Sequence, residues 1–265
     1  MDVNVDGRRA LVTGSTAGIG FAIARELALL GATVAINGRT EARVGRAIAE
    51  LEGELPGRHF IAAPGDVGTA HGVAQVLKVV READILVNNA GIFEPKPFFE
   101  IADADWLRFF EVNVLSGVRL ARALAPGMAS RGWGRIVFIS SESGLQIPAE
   151  MVHYGMTKTA QLAVSRGLAE SLAATGVTVN SVLPGPTLSE GVGEFMKRMS
   201  KDGDQADLDA AGRTFVKALR PTSLLGRLSS TQEVANMVAY VCTPAASATT
   251  GAALRVDGGV VRAIA

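Results

Sequence analysis

Tyr154 and Lys158 stand four residues apart in the segment "HYGMTK", in a chain with two tyrosines and six lysines. Four residues is close to one helical turn, so on a helix both side chains share a face. That pairing has a chemical use. A free phenol has a pKa near 10 and is a poor base at neutral pH, but a nearby ammonium stabilises its phenolate. Lowering that pKa by about three units takes about 4 kcal/mol, within reach of a close charge in a water-poor site. A tyrosine so tuned donates a proton to a carbonyl oxygen or removes one from an alcohol. A solvated Tyr–Lys pair on a helix surface has the same spacing, so the rest of the chain must decide.

A second feature is the run "TGSTAGIG", Thr13 to Gly20, between an apolar stretch and a helical pattern. Gly14 permits a tight turn, Gly18 lets backbone approach a pyrophosphate, and Gly20 allows close helix packing. The helix start that follows offers free N–H groups to phosphates. Ser15 and Ile19 belong to the same loop. Three residues separate the first two glycines, which departs from the usual G-x-G-x-x-G spacing.

The elements that position these residues alternate. "RALVTG" is a strand, and the helix after it puts Ile19, Ile23, Leu27 and Leu30 on one face before Gly31 stops it. Strands follow at "TVAING", "HFIAAP", "DILVNNAG", "GRIVFISS", "GVTVNSVLPG" and "GAALRVDGG". Helical segments separate them, including long ones over Asp103 to Ser130 and Met151 to Thr175, and a Thr-capped one at "TQEVANMVAYVCTP". The pattern predicts an α/β fold: one doubly wound Rossmann domain over residues 1–265. Its parallel seven-stranded sheet has an order near 3-2-1-4-5-6-7, with helices on both faces. Residues 186–227 break the rhythm with the helical patterns "EGVGEFMKRMS" and "DLDAAGRTFVKAL", the expected position of a substrate lid.

Composition narrows the partners. The 265 residues are 48% hydrophobic, and Lys+Arg and Asp+Glu both number 26, so the net charge is zero. That leaves no basic excess for nucleic acid and no basic stripe for a membrane, and a small molecule or further copies of the chain are expected instead. Cys242 is the lone cysteine, no apolar run is long enough to span a bilayer, and the N-terminus lacks a signal-peptide pattern. A cytoplasmic protein is expected. His59, His71 and His153 are scattered, so no metal site is expected and each is read as a surface or satisfied histidine.

T-G-x-x-x-G-I-G, followed by "NNAG" and Y-x-x-x-K, resembles the short-chain dehydrogenase/reductase family, and the resemblance runs from "LVTG" to "VDGG". It implies an oxidoreductase that works with a nicotinamide dinucleotide on alcohols and carbonyls, with Tyr154 as acid/base. Ser141, thirteen residues before Tyr154, matches the family's serine and would stabilise the substrate oxygen. Ser140 should turn away from it by strand alternation. Asn113, in "EVNVLSG", matches the fourth catalytic member, expected to hold a water near Lys158. Asn89 belongs to the motif after the fourth strand. Asp66 and Val67 match the adenine contacts. Pro184 and Gly185 are expected beside the nicotinamide, with Thr187 and Ser189 rivals for its carboxamide.

In "INGRT", Gly38 takes the place of the acidic residue that favours NAD, and Arg39 follows, suited to gripping a 2′-phosphate. The expected coenzyme is therefore NADP(H), although Ala17 stands where many NADP-preferring relatives have a basic residue. The lid pattern supplies Val192, Phe195, Met196, Met199, Phe215, Val216 and Leu219, which favour an apolar ketone or alcohol over a small sugar if they line the cleft, while Lys197 and Arg198 could meet an acidic group. A 3-oxoacyl thioester is the alternative substrate, weakened by Thr175 where a basic carrier-docking residue is common. A non-catalytic redox sensor is a third reading. The family implies a homotetramer or homodimer.

Overall fold

The computed structural model of the chain describes residues 1–189 and 208–264. Seven parallel strands form one sheet in the order β3-β2-β1-β4-β5-β6-β9. They are β1 (Arg9–Val12), β2 (Thr33–Gly38), β3 (Phe60–Pro64), β4 (Ile85–Asn88), β5 (Gly134–Ile139), β6 (Val177–Pro184) and β9 (Ala253–Val256). The expected order holds. A two-stranded pair absent from the sequence reading, β7 (Thr187–Leu188) and β8 (Ser229–Ser230), is separate from the sheet.

Helices cover both faces, so the central strands β4, β5 and β6 are buried at every position rather than at alternate ones. The two cores share those strands by alternation. Val12, Val87 and Ile139 face one core with Ile23 and Leu27 of α1 (Gly18–Leu29). Val44 and Leu51 of α2 (Glu41–Glu54) join that core, as do Val234 and Val238 of α8 (Thr231–Val241). Leu11, Leu86 and Phe138 face the other, with Val76 of α3 (Ala70–Val79) and Leu120 and Leu124 of α5 (Ser116–Ser130). Each such side chain contributes roughly 1.5–3 kcal/mol on burial. Register is thereby fixed, because a one-residue slip would exchange the two cores.

Side-chain caps mark the starts of α2, α3 and α8. Thr69 Oγ1 accepts from Gly72 N at 3.0 Å at the start of α3. At α8 the cap is Ser230, one residue before the expected threonine, and Glu233 completes a capping box. Arg227 beside Glu233 holds that carboxyl well down, to about 2. The expected helix over Asp103–Ser130 is α4 (Asp103–Phe110), a π-helical turn at Glu111–Leu115, and then α5. Tyr154 and Lys158 lie on α6 (Val152–Ser171), and "DLDAAGRTFVKAL" forms α7 (Leu208–Leu219). The expected helix "EGVGEFMKRMS" lies outside the described residues. Among the described residues no helix is long and apolar enough to cross a membrane.

Candidate active site

The chain leaves β1 on one side of the sheet to make β2 and β3, then returns to β4 on the other side. That switch opens a crevice at the carboxyl ends of the strands. The glycine loop sits at this point. Gly14 has φ 61° and Gly18 φ 58°, conformations that favour glycine. A Cβ on Gly20 would lie 2.3 Å from the Gly14 carbonyl and 2.5 Å from Asn89 Nδ2, so no side chain fits there. Ala17 caps α1 with no side-chain hydrogen bond, which leaves the helix's first N–H groups unmet by any side chain among the described residues.

Buried polar side chains hold this loop from beneath. Thr13 Oγ1 accepts from the backbone N–H groups of Asn89 and Ala90, both at 2.9 Å. Asn89 Nδ2 donates to the Thr13 and Gly14 carbonyls at 2.9 and 3.1 Å. Ser15 Oγ donates to Val12 O at 2.7 Å and accepts from Asn37 N at 2.9 Å. Ser15 and Asn89 therefore shape the loop. Asn37 was missed in sequence, although it is the polar position in an apolar strand: its Oδ1 accepts from Gly14 N at 3.2 Å and its Nδ2 donates to the Ala63 and Gly65 carbonyls.

At the end of β2, a Cβ on Gly38 would stand 2.5 Å from Thr16 Cγ2. An acidic side chain has no room there while Thr16 keeps its place. Arg39 beside it is exposed. Arg43 and Arg46 of α2, also missed in sequence, line a hollow of about 420 Å³ with Thr16, Ala17 and Gly18. Asp66 is exposed and accepts from Gly68 N at 3.0 Å, and Val67 is buried beside it.

A cleft of about 440 Å³ runs on from Ile19 and Asn89 to Ser141, Tyr154, Lys158 and Gly185. Lys158 Nζ lies 5.5 Å from the Tyr154 ring centroid, so the two do share one face. Nζ donates to Ile139 O at 2.8 Å and to Gln161 Oε1 at 3.1 Å, and burial lowers its pKa to about 7. Burial is also the largest influence on Tyr154 and raises its pKa. Ser141 and Arg220 act in the lowering direction, and Glu142 adds to the rise. The protein's own groups thus oppose the expected acidification of the phenol, because burying a phenolate outweighs the neighbouring charges.

Asn113 lies on the π-helical turn, a break in helical bonding common at functional sites. Its side chain bonds both backbone groups of Ile92, at 2.8 and 3.0 Å, and Nδ2 also reaches Thr157 Oγ1 at 3.0 Å. Its carbonyl accepts from Gln161 Nε2 at 2.7 Å. Gln161, missed in sequence, therefore bridges Lys158 to the carbonyl of Asn113. Its signal was a buried polar stripe on α6, formed by Thr157, Lys158, Gln161 and Ser165.

Ser140 Oγ donates to Lys158 O at 2.8 Å, turned from Ser141 as alternation requires. Gly185 cannot carry a Cβ, which would sit 2.6 Å from Asp257 O. Thr187 Oγ1 donates to Gly185 O at 2.9 Å, and Ser189 lines the same cleft. His153 departs from expectation. It is fully buried, its ring centroid is 4.1 Å from that of Phe109, and neither nitrogen has a hydrogen-bond partner among the described residues. Burial lowers its pKa. Among the described residues no group of three or more His, Cys, Asp or Glu is placed to hold a metal.

The family profile described as short chain dehydrogenase matches residues 8–200. The oxidoreductase YvaG of Bacillus subtilis (strain 168) is 47% identical over 264 residues, covering 100% of both chains. The 3-oxoacyl-[acyl-carrier-protein] reductase FabG of Aquifex aeolicus (strain VF5) is 33% identical over 268 residues, covering 98% of this chain and 100% of the relative. The crystal structure of L-sorbose reductase from Gluconobacter frateurii, complexed with NADPH and L-sorbose, matches with a TM-score of 0.93 at 33% identity and 100% coverage of both chains. The chain belongs to the short-chain dehydrogenase/reductase family and is an NAD(P)-dependent oxidoreductase acting on CH–OH and C=O groups.

Proposed function

We propose that the protein interconverts a carbonyl compound and a secondary alcohol with NADP(H), with Tyr154 as the acid/base group. The observation that carries this reading is the single cleft that runs from Ile19 of the glycine loop and Asn89 to Ser141, Tyr154 and Lys158. The coenzyme supplies or takes up the hydride. Gly14, Gly18, Ile19 and Gly20 would hold its pyrophosphate side, Asp66 and Val67 the adenine, and Pro184 and Gly185 the nicotinamide. Tyr154 moves a proton at the substrate oxygen, Ser141 stabilises charge developing there, and Lys158 adds positive charge beside the phenol. Asn113, through the turn it braces, keeps Gln161 and hence Lys158 in position.

The NADP(H) preference is supported by Arg39, by the steric exclusion of an acid at Gly38, and by Arg43 and Arg46 beside Ala17. A substrate lid in the segment 186–227 is supported by Phe215 and Leu219 of α7, which line the cleft, while residues 190–207 lie outside the described residues. Exposed Phe99, Leu107 and Phe110 along α4 and its approach favour assembly into a homodimer or homotetramer. A monomer by sedimentation at micromolar concentration contradicts that assembly. A cytoplasmic setting fits the buried lone Cys242. The likeness to FabG supports a second reading, a 3-oxoacyl thioester substrate.

The test is a panel of ketones, diketones, hydroxyketones and acetoacetyl thioester, run with NADPH and NADH side by side. Turnover of simple carbonyls with NADPH at least about tenfold better than with NADH supports the first reading. Preference for the thioester supports the second. Tight NADPH binding with no turnover of any member overturns both.

A further inference from the structure

Beside Ser141 the cleft holds a carboxylate that the roles above do not use. Glu142 is 3% exposed, and an acid this buried needs partners. Its Oε2 accepts from Ser141 Oγ at 2.7 Å and Ser143 Oγ at 2.5 Å, and its Oε1 accepts from Arg220 Nε at 2.6 Å. Arg220, just past the end of α7, also reaches Glu150 Oε1 through Nη1 at 3.1 Å. Ser141, Glu142, Arg220 and Glu150 all line the cleft. They make one polar wall starting at the serine beside the reacting oxygen.

Two properties of this wall select substrates. Two carboxylates against one guanidinium leave it with one negative charge, which repels an anionic group nearby. It also has unused capacity: neither Arg220 Nη2 nor Glu150 Oε2 has a hydrogen bond among the described residues, so a donor and an acceptor remain. A neutral hydroxyl group satisfies both kinds of site.

Ser141 adds a stricter condition. A hydroxyl has one proton, and Ser141 gives its proton to Glu142. The Ser141 oxygen also accepts from Ser143 N at 3.1 Å, so it turns its remaining lone pair, not a donor, toward a carbonyl oxygen. A substrate hydroxyl next to the carbonyl can donate to Glu142 in its place, and the Ser141 proton is then free to turn to the carbonyl oxygen. A plain ketone offers no such donor.

We propose that Glu142, clamped by Arg220, makes the site selective for neutral carbonyl compounds carrying a hydroxyl group beside the carbonyl, such as ketoses and other hydroxyketones. The inference rests on the reading of Ser141 and Tyr154 given above. It shifts the expected substrate away from the apolar ketone suggested by the lid sequence. The lid's apolar residues Phe215 and Leu219 do reach the cleft, but the polar wall starts at the serine itself.

The test compares NADPH oxidation with a ketohexose, an unsubstituted hexanone and a keto acid of the same length. Wild type should favour the ketohexose over each of the others by at least about tenfold in kcat/KM. Glu142→Gln, which keeps the shape but loses the charge-assisted acceptor, should narrow that ratio to within about threefold. Most of the change should fall in kcat for the ketohexose. Arg220→Gln should narrow the ratio too, mainly through KM. NADPH binding by each variant, followed by fluorescence, shows that it is folded. Hexanone or keto acid turned over as well as the ketohexose overturns this inference and leaves the proposed reductase intact. So does an unchanged ratio in a folded Glu142→Gln variant. No turnover of any of the three by a protein that binds NADPH overturns both.

Discussion

The two ends of the cleft are built differently. The end proposed for the coenzyme is made of backbone: glycines at Gly14, Gly18 and Gly20, braced by Thr13, Asn37 and Asn89 through hydrogen bonds to main-chain groups. The substrate end is made of side chains that meet from distant parts of the chain. Arg220 and Glu142 lie 78 residues apart. A backbone site has a fixed shape and suits a coenzyme common to many relatives. A side-chain site changes with single substitutions and sets what this chain accepts.

The largest effect on stability is expected where backbone meets backbone. Gly20→Ala puts a methyl group 2.3 Å from the Gly14 carbonyl and should destabilise the fold by roughly 1–3 kcal/mol. NADPH affinity should fall at least about tenfold with it. Gly45→Ala, in α2 with nothing within 4 Å of the added Cβ, should instead stabilise by about 0.5–1 kcal/mol. Denaturant unfolding of both variants measures the contrast, and equal effects would show that the loop is not tightly packed.

A smaller effect tests a side chain at the coenzyme end. Arg39→Ala should raise the KM for NADPH about tenfold and leave that for NADH within about twofold. Parallel losses with both coenzymes would remove Arg39 from the 2′-phosphate site.

The smallest effect is outside the cleft lining. His153 is neutral in the fold because burial lowers its pKa, whereas the unfolded chain takes up a proton below about pH 6.5. Stability should therefore fall as pH drops from about 6.5 through the lower, folded value. His153→Phe should flatten that fall while stability at pH 7 stays within about 1 kcal/mol. Glu233 contributes separately and in more acidic solution, since its partnership with Arg227 is lost as pH falls from about 4.5 toward 2. An unchanged slope between pH 6.5 and 5 in His153→Phe would contradict the buried neutral imidazole.

The same contrast explains what was legible in the sequence. Strand order, the glycine loop's turn and the shared face of Tyr154 and Lys158 depend on local spacing: alternating apolar runs, three glycines in seven residues, and two residues one turn apart. Sequence carries such information directly. Asn37 and Gln161 were visible only as polar residues in otherwise ordinary elements, and their partners come from other strands and turns. Glu142 directly follows the strand segment "GRIVFISS", yet nothing local says that Arg220 will cover it. The π-helical turn at Asn113 was hidden because its residues fit an unbroken helix by composition. Spacing reveals the ammonium beside Tyr154, but the burial that raises the phenol's pKa comes from the whole fold.

The central claim is that Tyr154 moves the proton in a cleft whose coenzyme end is independent of it. Tyr154→Phe, measured for NADPH binding by fluorescence and for NADPH oxidation with the best carbonyl substrate, tests this most directly. Turnover should fall by at least about a thousandfold while NADPH affinity stays within about threefold. Turnover retained within tenfold, or affinity lost in step with it, would contradict the account.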